Sequence, residues 1–173
     1  MKRVLFVIDM LKAFLEKGKP LYCGDKARAI IPFVRKKIEE YNRAGEFVFF
    51  ICDRHSPDDE EFKRFPPHSI EGTEEAELVD ELKNLAKNGV YIYKRRYSSF
   101  YDTVLDEHLA ALKPELVEVV GVCTNICVLY TVEELCNRDM NVRVFKDGVA
   151  SFDEDAHNWA LAQIKSVLGA EVV

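Results

Sequence analysis

Cys127 stands where a thiol can become a nucleophile. The apolar run 119–122 is interrupted at Gly121, and a helical pattern opens close to Cys127. At a helix N-terminus, unpaired backbone N–H groups and the macrodipole stabilise a thiolate and can also receive an oxyanion. A thiol is mostly protonated at neutral pH, so it also needs a carboxylate to take its proton and a cation to favour the charged form. Asp9 and Lys94 offer that pair, because each directly follows an apolar run. Taken singly, Asp9 reads equally well as a turn carboxylate, Lys94 as a solvated patch with Arg95 and Arg96, and Cys127 as a small buried hydrophobe. Their common placement after strand-like runs favours chemistry. If Cys127 attacks a carbonyl, the backbone N–H groups of Cys123 and Cys127 are placed to bind the oxyanion, worth roughly 3 kcal/mol per donor. The reaction is then acyl transfer through a thioester.

A second constellation comprises Asp53-Arg54-His55, Glu61 and Phe65-Pro66-Pro67-His68. In an extended segment Asp53 and His55 point to the same side, where two ligand atoms can meet one metal ion. His68 can return from the intervening loop as a third ligand and Glu61 as a fourth. Pro66-Pro67 stiffens the approach to His68. Carboxylate with imidazole suits zinc, iron or manganese. A polar surface loop with two ordinary histidines is the competing reading. Phe14, Phe65 and Tyr97 flank the same region and could sandwich a flat ring, or simply pack. His108 and His157 read as surface or packing residues, and Cys23, Cys52 and Cys136 as structural, lacking a charged neighbourhood.

These residues need a scaffold, and the periodicity supplies one. Residues 4–8, 47–52, 90–93, 116–120 and 142–145 read as buried strands, with 170–173 as a sixth, edge strand. Helical spacing is expected over 26–43, closed by Gly45, and over 73–87, 104–112, 127–138 and 155–168. Strands separated by helices require right-handed crossovers. The expected fold is therefore α/β, a three-layer α/β/α sandwich on a mostly parallel sheet of about six strands, with residues 1–173 as one domain. Such sheets bind ligands beyond the carboxyl ends of their strands. Asp9, Asp53 with His55, Lys94 and the 123–127 turn all fall there.

Composition narrows the partners. The chain has 173 residues, 48% hydrophobic, with a net charge of −6. No basic footprint for nucleic acid or an anionic membrane exists beyond residues 94–96, so a small molecule is expected. The apolar run 4–8 is shorter than a signal-peptide core, and no run reaches membrane-spanning length. Five cysteines without framework spacing fit a reducing cytoplasm.

The chain resembles the nicotinamidases of the isochorismatase-like cysteine hydrolase family over essentially its whole length. The resemblance rests on Val7-Ile8-Asp9, Asp53-Arg54-His55, residues 65–73 from Phe65-Pro66-Pro67-His68 to Gly72-Thr73, Lys94-Arg95-Arg96-Tyr97-Ser98-Ser99-Phe100, residues 121–128 and Ala150-Ser151-Phe152. It implies a triad of Asp9, Lys94 and Cys127, a cis peptide between Val122 and Cys123 that aims the oxyanion donors, and metal ligation by Asp53, His55 and His68, with Glu61 matching a fourth ligand found in part of the family. One divalent ion, zinc foremost with iron or manganese as alternatives, would hold a pyridine nitrogen. Phe14, Phe65 and Tyr97 match ring-contacting positions. The implied reaction is hydrolysis of nicotinamide, and of pyrazinamide if ring analogues are tolerated, by a cytoplasmic enzyme that could form a homo-oligomer. Asn125 departs from the family, which commonly has Asp there; a modest effect on Cys127 is expected. Three rivals remain: a relative acting on another small amide or ester, a thiol redox or metal-storage protein using Cys123 and Cys127, and an inactive binding module.

Overall fold

The computed structural model describes residues 2–173. Six strands, β1 (Arg3–Ile8), β2 (Phe47–Asp53), β3 (Val90–Lys94), β4 (Leu116–Val122), β5 (Val142–Ala150) and β6 (Glu171–Val172), form one sheet in the order β3-β2-β1-β4-β5-β6. Every neighbouring pair is parallel. The helices are α1 (Lys12–Leu15), α2 (Asp25–Arg28), α3 (Ile31–Ala44), α4 (Asp80–Lys83), α5 (Leu105–Leu112), α6 (Leu129–Asn137) and α7 (Glu154–Ser166). The three-layer α/β/α arrangement expected from the periodicity is present.

The central strands are apolar on both sides because both faces are covered. Leu5, Val7, Val48, Phe50 and Val120 join Val34, Ile38 and Tyr41 of α3 in one core layer. Val4, Phe6, Phe49, Ile51 and Val119 meet Leu109, Val132, Leu135, Ala160 and Ile164 on the other side. α3 starts with Pro32 in its first turn and ends at Gly45, whose φ of 67° satisfies the left-handed cap. At α7, the Asp153 side chain accepts the Ala156 N–H at 2.9 Å.

Strand order reverses at β1: the chain moves outward through β2 and β3, then returns to build β4 on the other side. The crevice between the carboxyl ends of β1 and β4 is thus a topological switch point. Gly121 makes the close approach there possible. Its φ is +126°, and a β-carbon on it would lie 2.0 Å from the Ile8 carbonyl oxygen.

Four expectations about elements need correction. The helix expected over 26–43 is two helices, because Pro32 has no N–H to give the carbonyl four residues earlier and the ladder restarts around it. The helix expected over 73–87 is a short 3₁₀ turn at Glu74–Ala76 followed only by the single turn α4. Its backbone bonds elsewhere: Lys12 N–H donates to the Glu77 carbonyl at 2.9 Å and Val79 N–H to the Met10 carbonyl at 3.1 Å. β5 continues past 145, absorbing the polar Lys146-Asp147-Gly148 stretch as an irregularity before its pairing resumes at Val149. Finally, the helix expected from Cys127 is preceded by a wide π-type turn, Thr124–Val128, so Cys127 lies inside the first turn rather than at its start.

Candidate active site

The carboxyl ends of four strands deliver the reactive groups. Asp9 leaves β1 with φ 52°, a left-handed conformation uncommon outside glycine. Its N–H donates to the Ile51 carbonyl at 2.8 Å, and its Oδ1 accepts the Asp53 N–H at 2.8 Å. Lys94 ends β3 directly beside Asp53, its register partner on β2. The Lys94 ammonium is buried among three partners. It donates to Asp53 Oδ1, lies 2.9 Å from Asp9 Oδ2, and reaches Cys127 Sγ at 3.5 Å. The structure therefore brings Asp9, Lys94 and Cys127 together.

Burial governs the electrostatics. It pushes the Asp9 carboxyl up to about 6 against the opposing pull of Lys94. Burial also pushes the Cys127 thiol well above its ordinary range, and the neighbouring Lys94 only partly offsets it. Burial therefore favours the thiol form of Cys127 over the thiolate, with the Asp9 carboxyl beside it. Asp53 moves the other way: burial would raise it, but Lys94 and the two histidines hold it well below the usual carboxylate range.

Around Cys127, the Ile126 and Val128 N–H groups both donate to the Cys123 carbonyl, at 3.1 and 3.2 Å. Neither the Cys123 nor the Cys127 N–H takes part in those two bonds. The Val122–Cys123 peptide is cis, as the family resemblance implied. Asn125 Oδ1 accepts from the Ser151 hydroxyl at 2.6 Å, and Thr124 Oγ1 shares a 2.8 Å hydrogen bond with His157 Nδ1. These two contacts tie the turn to the end of β5 and to α7.

Asp53, His55 and His68 form a buried cluster whose ligand atoms all lie within 4.8 Å of one another. His55 Nε2 and His68 Nε2 approach Asp53 Oδ2 at 3.4 and 3.5 Å. Ligands at about 2.1 Å on a tetrahedral ion sit roughly 3.3–3.5 Å apart, so the cluster fits one divalent metal. The outer nitrogens are already engaged, His55 Nδ1 with Asp59 Oδ2 at 3.1 Å and His68 Nδ1 with the Pro66 carbonyl at 2.8 Å. That leaves both Nε2 atoms facing inward, and among the described residues His55 Nε2 has no hydrogen-bond partner. Glu61 falls outside this three-residue cluster. It is buried in the same cavity, its Oε2 has no hydrogen-bond partner among the described residues, and burial raises its carboxyl.

All of this opens onto a cavity of about 330 Å³ whose lining includes Asp9, Cys127, Asp53 and His68. Phe14, Phe65 and Tyr97, the expected ring contacts, are in its walls. Phe65 meets Tyr97 edge-on, with ring centroids 6.4 Å apart. The sequence did not reveal three further features. Phe62 packs on both metal-site histidines, at 5.4 and 5.6 Å between centroids. Phe152, 60% exposed, lines the mouth, and residues 20–23 form another wall. In sequence Phe152 stands out only as part of the Ala150-Ser151-Phe152 motif, and the 20–23 loop carries no periodic or ionic signal.

The parallel sheet, the switch-point crevice and an acid, a cation and a thiol beside a three-ligand cluster define the class: a three-layer α/β/α hydrolase domain with a cysteine at the switch point. The chain belongs to the isochorismatase family, whose domain model matches residues 3–173. It is 34% identical to the isochorismatase family protein PncA of Bacillus subtilis (strain 168), over 99% of both chains. The crystal structure of the nicotinamidase/pyrazinamidase PncA from Bacillus subtilis superposes with a TM-score of 0.96 at 35% identity, covering 100% of each chain. The pyrazinamidase of Pyrococcus horikoshii in complex with zinc gives 0.92 at 26% identity, over 100% of this chain and 99% of that one.

Proposed function

We propose that this chain, acting as one cysteine-hydrolase domain, hydrolyses nicotinamide to nicotinate and ammonia. The observation that carries the reading is that Asp9 and Cys127, both in contact with the buried Lys94, line the cavity that also presents Asp53, His68 and three aromatic walls. Relatives named as nicotinamidases or pyrazinamidases over the full chain length support the substrate class.

Asp9 takes the proton of Cys127, and the sulfur attacks the amide carbon. The Cys123 and Cys127 N–H groups receive the tetrahedral oxyanion. Asp9 then returns its proton to the amide nitrogen as the C–N bond breaks, releasing ammonia and leaving a thioester on Cys127. Asp9 deprotonates an incoming water that attacks the thioester, and Cys127 leaves with the electron pair of the C–S bond and is reprotonated. Lys94 keeps a positive charge beside both Asp9 and the sulfur throughout. Phe14, Phe65 and Tyr97 confine the ring. A divalent ion held by Asp53, His55 and His68, zinc by its N/O donor set, would bind the pyridine nitrogen and orient the substrate. Glu61 stands next to that centre as a further oxygen donor. Among the described residues no helix is long and apolar enough to cross a membrane, and a cytoplasmic location fits five reduced cysteines.

The direct test is ammonia release from nicotinamide by metal-loaded protein. A preparation with bound metal and an alkylatable Cys127 that releases none overturns the substrate assignment.

A further inference from the structure

Besides the Cys127 sulfur, the cavity holds a pair of sulfur atoms that hydrolysis leaves idle. Cys23 Sγ and Cys123 Sγ lie 3.2 Å apart, although the residues are 100 positions apart in sequence. Both are free thiols, 3% and 8% exposed, and both side chains line the same cavity as Cys127. Cys23 is fixed from its own side: its N–H donates to the Phe14 carbonyl at 2.8 Å, and its thiol reaches the Leu21 carbonyl at 3.4 Å. It belongs to the 20–23 wall of the cavity. Cys123 opens the turn that carries Cys127 and accepts two backbone hydrogen bonds from that turn. The two thiols therefore join the wall of the cavity to the backbone beside the nucleophile.

We propose that Cys23 and Cys123 are a modification site for a small peroxide, which oxidises them to a disulfide and slows the enzyme reversibly. Hydrogen peroxide is small enough to enter a cavity of about 330 Å³. One sulfur attacks the peroxide, the O–O bond breaks, and a sulfenic acid and water form. The second thiol then displaces hydroxide from that sulfenic sulfur, and its proton completes a second water. In sum, two thiols and one peroxide give one disulfide and two waters; the sulfurs together lose two electrons and the peroxide gains them. Bonded sulfurs sit about 2.05 Å apart, so this pair must close by roughly 1.1 Å. That displacement acts on Cys123, whose N–H the proposed mechanism uses, and misplacement on this scale costs up to about 10²-fold in rate. The other cysteines are differently placed: Cys127 faces Lys94, Cys52 lies within β2 and Cys136 within α6.

The test treats metal-loaded protein with a slight excess of hydrogen peroxide. The expected protein is two hydrogen atoms lighter, has lost two of its five thiols, and yields a linked Cys23–Cys123 peptide while Cys127 still alkylates. Its rate falls about tenfold or more and returns with dithiothreitol. Cys23→Ser and, separately, Cys123→Ala should each hold their own untreated rate through the same exposure. Oxygen added to Cys127 as the main product, a linkage between other cysteines, or a linked protein with an unchanged rate each overturns the proposal. The mass readout does not involve nicotinamide, so failure of the substrate assignment leaves the test of the crosslink intact.

Discussion

The Asp53 N–H donates to Asp9 Oδ1 at 2.8 Å, so the strand that carries the metal-site carboxylate also orients the proposed base. The Asp53 side chain extends the connection, because Oδ1 accepts from Lys94 while Oδ2 faces the two histidines. One residue therefore holds the proposed base through its backbone, the cation through one oxygen and the metal site through the other.

Removing the cation should be costly for both folding and turnover. Lys94→Met leaves Asp9 and Asp53 as adjacent buried carboxylates with no ammonium between them. Losing one partner of a buried ion pair costs about 3–5 kcal/mol. Urea unfolding should show that loss, and ammonia release should fall at least about 10³-fold. Full activity in Lys94→Met would sink the proposed role of Lys94.

Cys127→Ala should abolish turnover, by about 10⁴-fold or more, while leaving zinc binding intact. The cluster of Asp53, His55 and His68 does not include the thiol. Metal content by elemental analysis together with the ammonia assay separates the two roles. A Cys127→Ala protein that still forms nicotinate would place the nucleophile elsewhere.

Asp59 gives a different prediction, since it stands behind the metal site, bonded to the His55 ring and to the Glu61 backbone. Its Oδ2 lies 3.1 Å from His55 Nδ1, and its Oδ1 accepts from the Glu61 N–H and from Arg96, both at 2.8 Å. These contacts, opposed by burial, hold its carboxyl down near 2. Asp59→Asn should keep the fold but loosen the orientation of His55. Zinc affinity is expected to drop about 10–100-fold, read by competition with a chromophoric chelator. Unchanged affinity would mean that His55 is held by packing, for example against Phe62.

Much of this site was legible because buried parallel strands appear in sequence as apolar runs that stop abruptly. Asp9, Asp53 and Lys94 each stand at such a stop, so strand ends and chemistry could be read together. The 73–87 segment departs from its helical pattern for a tertiary reason: Leu78 and Val79 pair with the 10–12 backbone, and no local pattern announces that partner. β5 is longer than its apolar run because the sheet carries Lys146-Asp147-Gly148, which has turn composition, as an irregularity between Val144 and Val149. Phe62 and the 20–23 wall were missed because a cavity wall needs only shape, which leaves no spacing to detect. Asn125 could be flagged as unusual, but its bond to Ser151 depends on how the end of β5 meets the turn.

Gly121 should tolerate no side chain. Gly121→Ala would set a β-carbon 2.0 Å from the Ile8 carbonyl oxygen and force an alanine to φ +126°. Overpacking and backbone strain each cost about 1–3 kcal/mol. The variant should lose several kcal/mol in urea unfolding, or express insoluble, because the β1–β4 pairing that positions Asp9 and the cysteine turn is pushed apart. Stability within about 0.5 kcal/mol of the parent would contradict the close approach.

His157 should make stability fall on mild acidification. Its Nδ1 is bonded to Thr124 at 2.8 Å, and burial holds its pKa below the ordinary 6.5, with Glu154 opposing and Lys26 reinforcing that shift. Lys146 and Asp147 from β5 line the same small cavity. With the folded pKa depressed, the unfolded chain takes up the proton first as pH falls. The stability is fully present above about 6.5 and is lost as pH drops from there through the folded pKa. His157→Asn removes the titrating group, so its urea midpoint should fall less between pH 7.5 and 5.5 than the parent's does. Equal slopes for the two proteins would show that other groups carry the acid sensitivity.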